Sequence, residues 1–146
     1  MAEAVTGIAP SSQATPLGPS QGHILLVDDE DAIRRVIGTL LQRMGYQVTR
    51  AANGTEALAA LQDQSYDVMI CDLCMPGLSG QEVYAQMERE HPSMTDRVVF
   101  TSGDLETDNA RALLARAGGQ AVQKPYDIDT LLAVIRTVQD SIPQRQ

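Results

Sequence analysis

Five residues able to bind metal or phosphate stand at the ends of short apolar runs. Asp28 and Asp29 follow "ILLV", Asp72 follows "VMIC", Thr101 closes "VVFT" and Lys124 follows "QAVQ". If the runs are neighbouring strands, three acids, a hydroxyl and an ammonium share one edge of a sheet. Two carboxylates about 4 Å apart repel by about 4 kcal/mol at an effective dielectric of 20, so such a cluster needs a counter-charge. Lys124 is one source and a divalent cation is another. Mg2+ takes one or two carboxylates, keeps several waters and accepts phosphate oxygens, which suits a small acidic pocket better than the fuller ligand shell of Ca2+. Asp72, alone on its run, has the chemistry of a nucleophile toward phosphorus, giving an aspartyl phosphate. The cation and Lys124 would then hold two phosphoryl oxygens and Thr101 would donate to a third. Phosphoryl transfer asks mainly for positioning and charge neutralisation, so this inventory suffices.

The elements that must place these residues alternate along the chain. Strands are predicted at 23–27, 46–50, 67–71, 97–101 and 120–123. Between the first two, Ile33, Val36, Ile37, Leu40, Leu41 and Met44 recur at helical spacing and stop at Gly45. A second helix starts at Asn53 with Glu56 three residues on, and a third at Ser79 with Glu82 three residues on, both resembling capping boxes. A fourth fits about 106–117, and a fifth runs from Asp127 towards Pro143. The pattern is (βα)5, an α/β fold with a parallel sheet covered on both faces, because each parallel crossover needs a helix. Ligands of such sheets sit outside the carboxyl ends of the strands, where the strand order reverses.

Composition bounds the rest. The chain has 146 residues, 43% of them apolar, enough for one domain with a real core. Nineteen acids against eleven Lys and Arg give a net charge of -8, which disfavours direct contact with nucleic acid. No apolar run is long enough for a membrane span, and the N-terminus has neither a basic region nor an apolar signal core, so a cytoplasmic location is expected. Residues 1–22, with three Pro, three Gly, three Ser and a single charge, read as a flexible linker or tail; residues 23–140 form the domain, and 141–146 a short C-terminal tail.

From about His23 to Asp140 the chain resembles the response-regulator receiver domains of two-component signalling. The resemblance rests on "LVDDE", "DVMICDLCMPGLSG", "VVFTSGD" and "QKPYD" in this order and spacing. It implies a flavodoxin-like sheet of order 2-1-3-4-5. It further implies that Asp72 accepts phosphate from the phosphohistidine of a histidine kinase or histidine phosphotransfer protein. Asp28, Asp29, Asp72 and the backbone carbonyl of Cys74 would bind Mg2+, while Thr101 and Lys124 would read the phosphorylated state for a downstream protein target. The domain would be a self-phosphorylating acceptor with no separate substrate. The "FTSGD" segment and Pro-rich leader resemble receivers at the C-terminal end of hybrid histidine kinases, which sets that placement beside a free-standing receiver. One departure stands out: the aromatic usual three residues before the lysine is Ala121, so the family's aromatic switch cannot operate as usual, and a smaller rearrangement of residues 101–109 is expected instead. Cys74 and Gly103, at two positions that tune phosphate lifetime in the family, carry no carboxylate or amide to position a water, which implies slow autodephosphorylation.

Plainer roles compete. Glu30 and Asp31 read as helix-dipole acids, worth about 0.3–1 kcal/mol each. Cys71 and Cys74 have C-x-x-C spacing, but neighbouring carboxylates raise a thiol's pKa, which argues against redox or zinc chemistry. His91, before Pro92, reads as a surface residue near a helix end. No G-x-x-x-x-G-K cradle is present, so ATP is not the expected donor. A phosphatase of the haloacid-dehalogenase type also uses aspartate, Mg2+ and lysine, but expects a D-x-D motif after the first strand where Asp28 and Asp29 are adjacent. A phosphate-independent binding domain is the other competitor, kept in view by Ala121.

Overall fold

The computed structural model describes residues 21–117 and 120–141. Five parallel strands, β1 (Gly22–Val27), β2 (Tyr46–Ala51), β3 (Val68–Asp72), β4 (Val98–Ser102) and β5 (Ala121–Gln123), form one sheet in the order β2-β1-β3-β4-β5. Each predicted strand is present with its ends moved by one residue or less. The leader and C-terminal tail inferred from composition lie almost wholly outside the described residues.

Five helices fill the crossovers: α1 (Asp31–Arg43), α2 (Gly54–Asp63), α3 (Gly80–Glu90), α4 (Asp108–Ala117) and α5 (Ile128–Ser141). Alternate side chains of the central strands go to opposite faces, as a pleated strand requires. Ile24, Leu26, Ile70, Val99 and Val122 pack with Ile37 and Leu41 of α1 and with Leu131, Ile135 and Val138 of α5. Leu25, Val27, Met69, Cys71 and Phe100 pack with Leu58 and Leu61 of α2, Val83 and Met87 of α3, and Leu113 of α4. Burial on both faces explains why these strands read as continuous apolar runs rather than alternating ones.

Three local features depart from the sequence reading. The apolar stripe of α1 is wider than its buried face. Ile37 and Leu41 are buried, whereas Val36 and Met44 are 55% and 45% exposed, because Val36 lies about 100° round the helix from Ile37 and Met44 is the C-cap residue. The Ser79–Glu82 pair forms a complete capping box on α3. On α2, however, the Asn53 side chain caps Glu56 N–H while Glu56 accepts from Ala52 N–H, one residue before the cap. A 3-10 helix, Pro92–Arg97, precedes β4; it buries Met94 and leaves His91 half-buried at the junction rather than on the open surface.

Candidate functional site

Register alone assembles the site. Val27 pairs with Cys71 and Asp72 with Thr101, so Asp28, Asp72 and Thr101 fall in one row across three strands. Asp28 N–H still bonds Ala51 O at 3.2 Å and Lys124 N–H bonds Ser102 O at 2.7 Å, which carries the ladder one step beyond the strands. The Lys124 ammonium reaches across to Asp28 Oδ2 at 2.9 Å and Asp72 Oδ2 at 3.0 Å. The second oxygen of each acid is held by backbone: Glu30 N–H donates to Asp28 Oδ1 at 2.9 Å, and Cys74 N–H to Asp72 Oδ1 at 3.1 Å. Asp28 and Asp72 are 1% and 4% exposed, Asp29 is exposed, and one carboxylate oxygen from each of the three lies within 4.8 Å of the others.

Close packing sharpens this corner. Gly80 opens α3 against the end of β3, where a Cβ would come within 2.9 Å of Asp72 O and Leu73 Cα, and its N–H bonds Leu73 O at 3.1 Å. Gly77, in the preceding loop, has φ +79°, a conformation open to glycine at little cost.

Burial raises the Asp72 pKa above its ordinary value; the hydrogen bonds from Lys124 and Cys74 N–H and the charge of Lys124 pull it back, and Asp28 pushes it further up. For Lys124, burial works downward, but its bonds to Asp28 and Asp72 and their charges outweigh it, so the ammonium is held protonated well above its usual range. Two buried hydroxyls nearby, Thr101 Oγ1 and Tyr126 Oη, have no hydrogen-bond partner among the described residues. Burial together with the acids Asp28, Asp72 and Glu30 pushes the Tyr126 phenol up to about 12.

The donor set is oxygen only. The carboxylates of Asp28, Asp29 and Asp72, with that of Glu30 beside them, gather against a single ammonium, and hard oxygen donors in a partly open cluster are what Mg2+ takes. The unpartnered Thr101 hydroxyl is a further polar group ready for a ligand at the same edge, since an unmade buried hydrogen bond costs about 1–3 kcal/mol.

The response regulator receiver domain model matches residues 24–136. The chain belongs to this family. The uncharacterized transcriptional regulatory protein YkoG of Bacillus subtilis is 40% identical over 116 residues, covering 80% of this chain and 50% of that protein. The sensor kinase CckA of Brucella abortus is 33% identical over 126 residues, covering 85% of this chain and 13% of that protein. The receiver thus spans half or less of the length of these relatives. Among solved structures, the response regulator TrrA of Thermotoga maritima, in complex with Mg2+-BeF, superposes with a TM-score of 0.68 at 31% identity, covering 80% of this chain and 97% of that one. A CheY-like receiver from Methanospirillum hungatei gives 0.75 at 26%, covering 85% and 96%.

The structure brings Asp28, Asp29, Asp72 and Lys124 together and sets Thr101 beside Asp72. Cys74 joins through its backbone N–H, its side chain exposed; Cys71 is buried, and burial followed by Asp72 and Asp28 drives its thiol pKa up, opposite to what a reactive thiolate needs. Two participants were missed. Glu30, read as a helix-dipole acid, is the N-cap residue of α1 and places Oε1 at 3.2 Å from Lys124 Nζ; Asp31 does sit in the first turn, paired with Arg34. Tyr126 was passed over inside "QKPYD", although its place two residues after the lysine was a usable signal. Ala121 pairs in register with Phe100 and packs, half-buried, on the α2–α3–α4 side of the core. The ring adjoining Thr101 is therefore Phe100, edge-on to Tyr84 with centroids 5.8 Å apart.

Proposed function

We propose that Asp72 is the phosphoacceptor of this receiver and takes its phosphoryl group from a phosphohistidine on a histidine kinase or a histidine phosphotransfer protein. The observation that carries this reading is Lys124 Nζ held at 3.0 Å from Asp72 Oδ2 and 2.9 Å from Asp28 Oδ2, at a sheet edge that also holds the unpartnered Thr101 hydroxyl. The Asp72 oxygen attacks phosphorus as the P–N bond to histidine breaks. Lys124 then holds one phosphoryl oxygen and Thr101 donates to another. Asp28, Asp29, Asp72 and the backbone carbonyl of Cys74 would hold Mg2+, which when bound neutralises the acids and charge on the phosphoryl oxygens.

The output we propose is local. Ser102 Oγ accepts from Asp104 N–H at 3.1 Å and donates to Asp104 O at 3.2 Å, pinning the segment directly after Thr101. A dianion that draws the Thr101 hydroxyl inward favours whichever arrangement of residues 101–109 bonds it better, and a downstream protein reads the change. The matched receiver makes up 50% of the YkoG chain and 13% of CckA, so these relatives support a place within a longer regulator or a hybrid kinase, which we set beside a free-standing receiver.

The deciding experiment is intact-mass measurement after incubation with Mg2+ and phosphoramidate. One phosphoryl group is expected on the wild type and none on Asp72→Ala. Equal labelling of both proteins, or labelling of neither, would overturn the assignment.

A further inference from the structure

An ammonium group has three N–H donors, and in this receiver all three of Lys124 are engaged: by Asp28 at 2.9 Å, Asp72 at 3.0 Å and Glu30 at 3.2 Å. A phosphoryl oxygen that is to be gripped by Lys124 must displace one of them. Asp28 is poorly placed to yield, because its side chain is 2% exposed and its other oxygen is fixed by Glu30 N–H. Asp72 is the group that reacts. Glu30 is left: its contact is the longest of the three, its side chain is 59% exposed, and it makes no capping bond at the start of α1, so it can turn to water without disturbing the helix.

We infer that Glu30 is a placeholder on Lys124, occupying the N–H that a phosphoryl oxygen takes over and thereby setting how readily the site takes up its phosphodonor. Glu30 is a positioning residue that acts through Lys124. The inference rests on Asp72 being the phosphoacceptor. In the step concerned, the Asp72 O–P bond forms as the P–N bond of phosphoramidate breaks, and ammonia leaves with the protons its nitrogen already carries. Glu30 changes no bond in that step; it only has to let go first.

The test is the initial rate of phosphoryl gain, by intact mass, across a range of phosphoramidate concentrations at fixed Mg2+, which separates the half-saturating concentration from the maximal rate. Glu30→Gln is expected to lower the half-saturating concentration about 1.5- to 5-fold, the range to which an exposed ion pair converts, with the maximal rate unchanged. Glu30→Asp keeps the charge but is one methylene too short to hold the contact, so it is expected to shift in the same direction. A wild-type constant in Glu30→Asp beside a lowered one in Glu30→Gln would mean that only the local field matters and would overturn the placeholder role. A reduced maximal rate in Glu30→Gln would overturn it too, by making Glu30 an anchor that keeps Lys124 in place. Superimposable curves for all three proteins would remove Glu30 while leaving Asp72 intact, whereas a wild type that gains no phosphoryl group removes both.

Discussion

Lys124 and Tyr126 hold their protons more firmly in the folded chain than out of it, and for related reasons. The ammonium is bonded to Asp28 and Asp72, and the phenol is buried where Asp28, Asp72 and Glu30 oppose a new negative charge. Each group therefore contributes stability that is complete below its unfolded pKa, 10.5 and 10.0 respectively, and is lost as pH rises through the folded value, about 12 for Tyr126. Urea melts at increasing pH are expected to show stability falling from about pH 10 upward. Tyr126→Phe should make that fall shallower and leave stability at neutral pH equal or higher, since it removes a buried hydroxyl that has no partner among the described residues. A steeper alkaline fall in the variant would contradict this account. The same residues show where sequence stops being legible. Asp28, Asp29, Asp72, Thr101 and Lys124 could be read because each ends an apolar run and the strand pattern aligns those ends. Glu30 meets Lys124 across 94 positions of chain, and no local pattern records such a contact.

At the scale of elements, the alternation of strands and helices was legible because each central strand is buried on both faces and because α2 and α3 carry their own capping signals, at Asn53 and Ser79. What escaped was set by packing. The 3-10 helix at Pro92–Arg97 has no periodicity of its own to reveal it, and how much of the α1 stripe is covered depends on the sheet below. Gly80 is the clearest case of a residue whose type was visible and whose reason was not. It matches the later glycine of the "MPGLSG" motif, but the constraint comes from α3 resting on the end of β3, where the atoms a Cβ would strike are the backbone O of Asp72 and Cα of Leu73. Backbone there cannot give way without moving the end of β3 and Asp72 with it. Gly80→Ala is accordingly expected to destabilise the domain by about 1–3 kcal/mol in urea melts, the usual cost of overpacking. Gly103→Ala, where a Cβ meets nothing within 4 Å, should stay within about 0.5 kcal/mol of wild type and serves as the control. Equal melts for the two variants would show that the α3–β3 approach is looser than the structure implies.

For the molecule as a whole, the order β2-β1-β3-β4-β5 places the chain reversal between β1 and β3, and the acids stand at the carboxyl ends of those two strands. That order was expected from the family resemblance rather than from periodicity, which specifies strands but not their neighbours. The topology concentrates four carboxylates, those of Asp28, Asp29, Glu30 and Asp72, around one ammonium, so the fold carries repulsion that a bound cation would relieve. Asp29, exposed at the rim, is the acid whose charge can be removed without breaking the Lys124 network, because the partners of Lys124 are Asp28, Glu30 and Asp72. Asp29→Asn is therefore expected to melt at higher urea than wild type in the absence of divalent cation. In Mg2+ the difference should shrink or reverse. A ligand bound only by the folded state stabilises it by about 2.7 kcal/mol at 100 times its Kd, and by about 1.4 kcal/mol once affinity has fallen tenfold. Paired melts with and without Mg2+ measure both effects on the same two proteins. A variant that is neutral or weaker without the cation would mean that Lys124 already balances the acids, and a Mg2+ increment equal in both proteins would take Asp29 out of the proposed Mg2+ site.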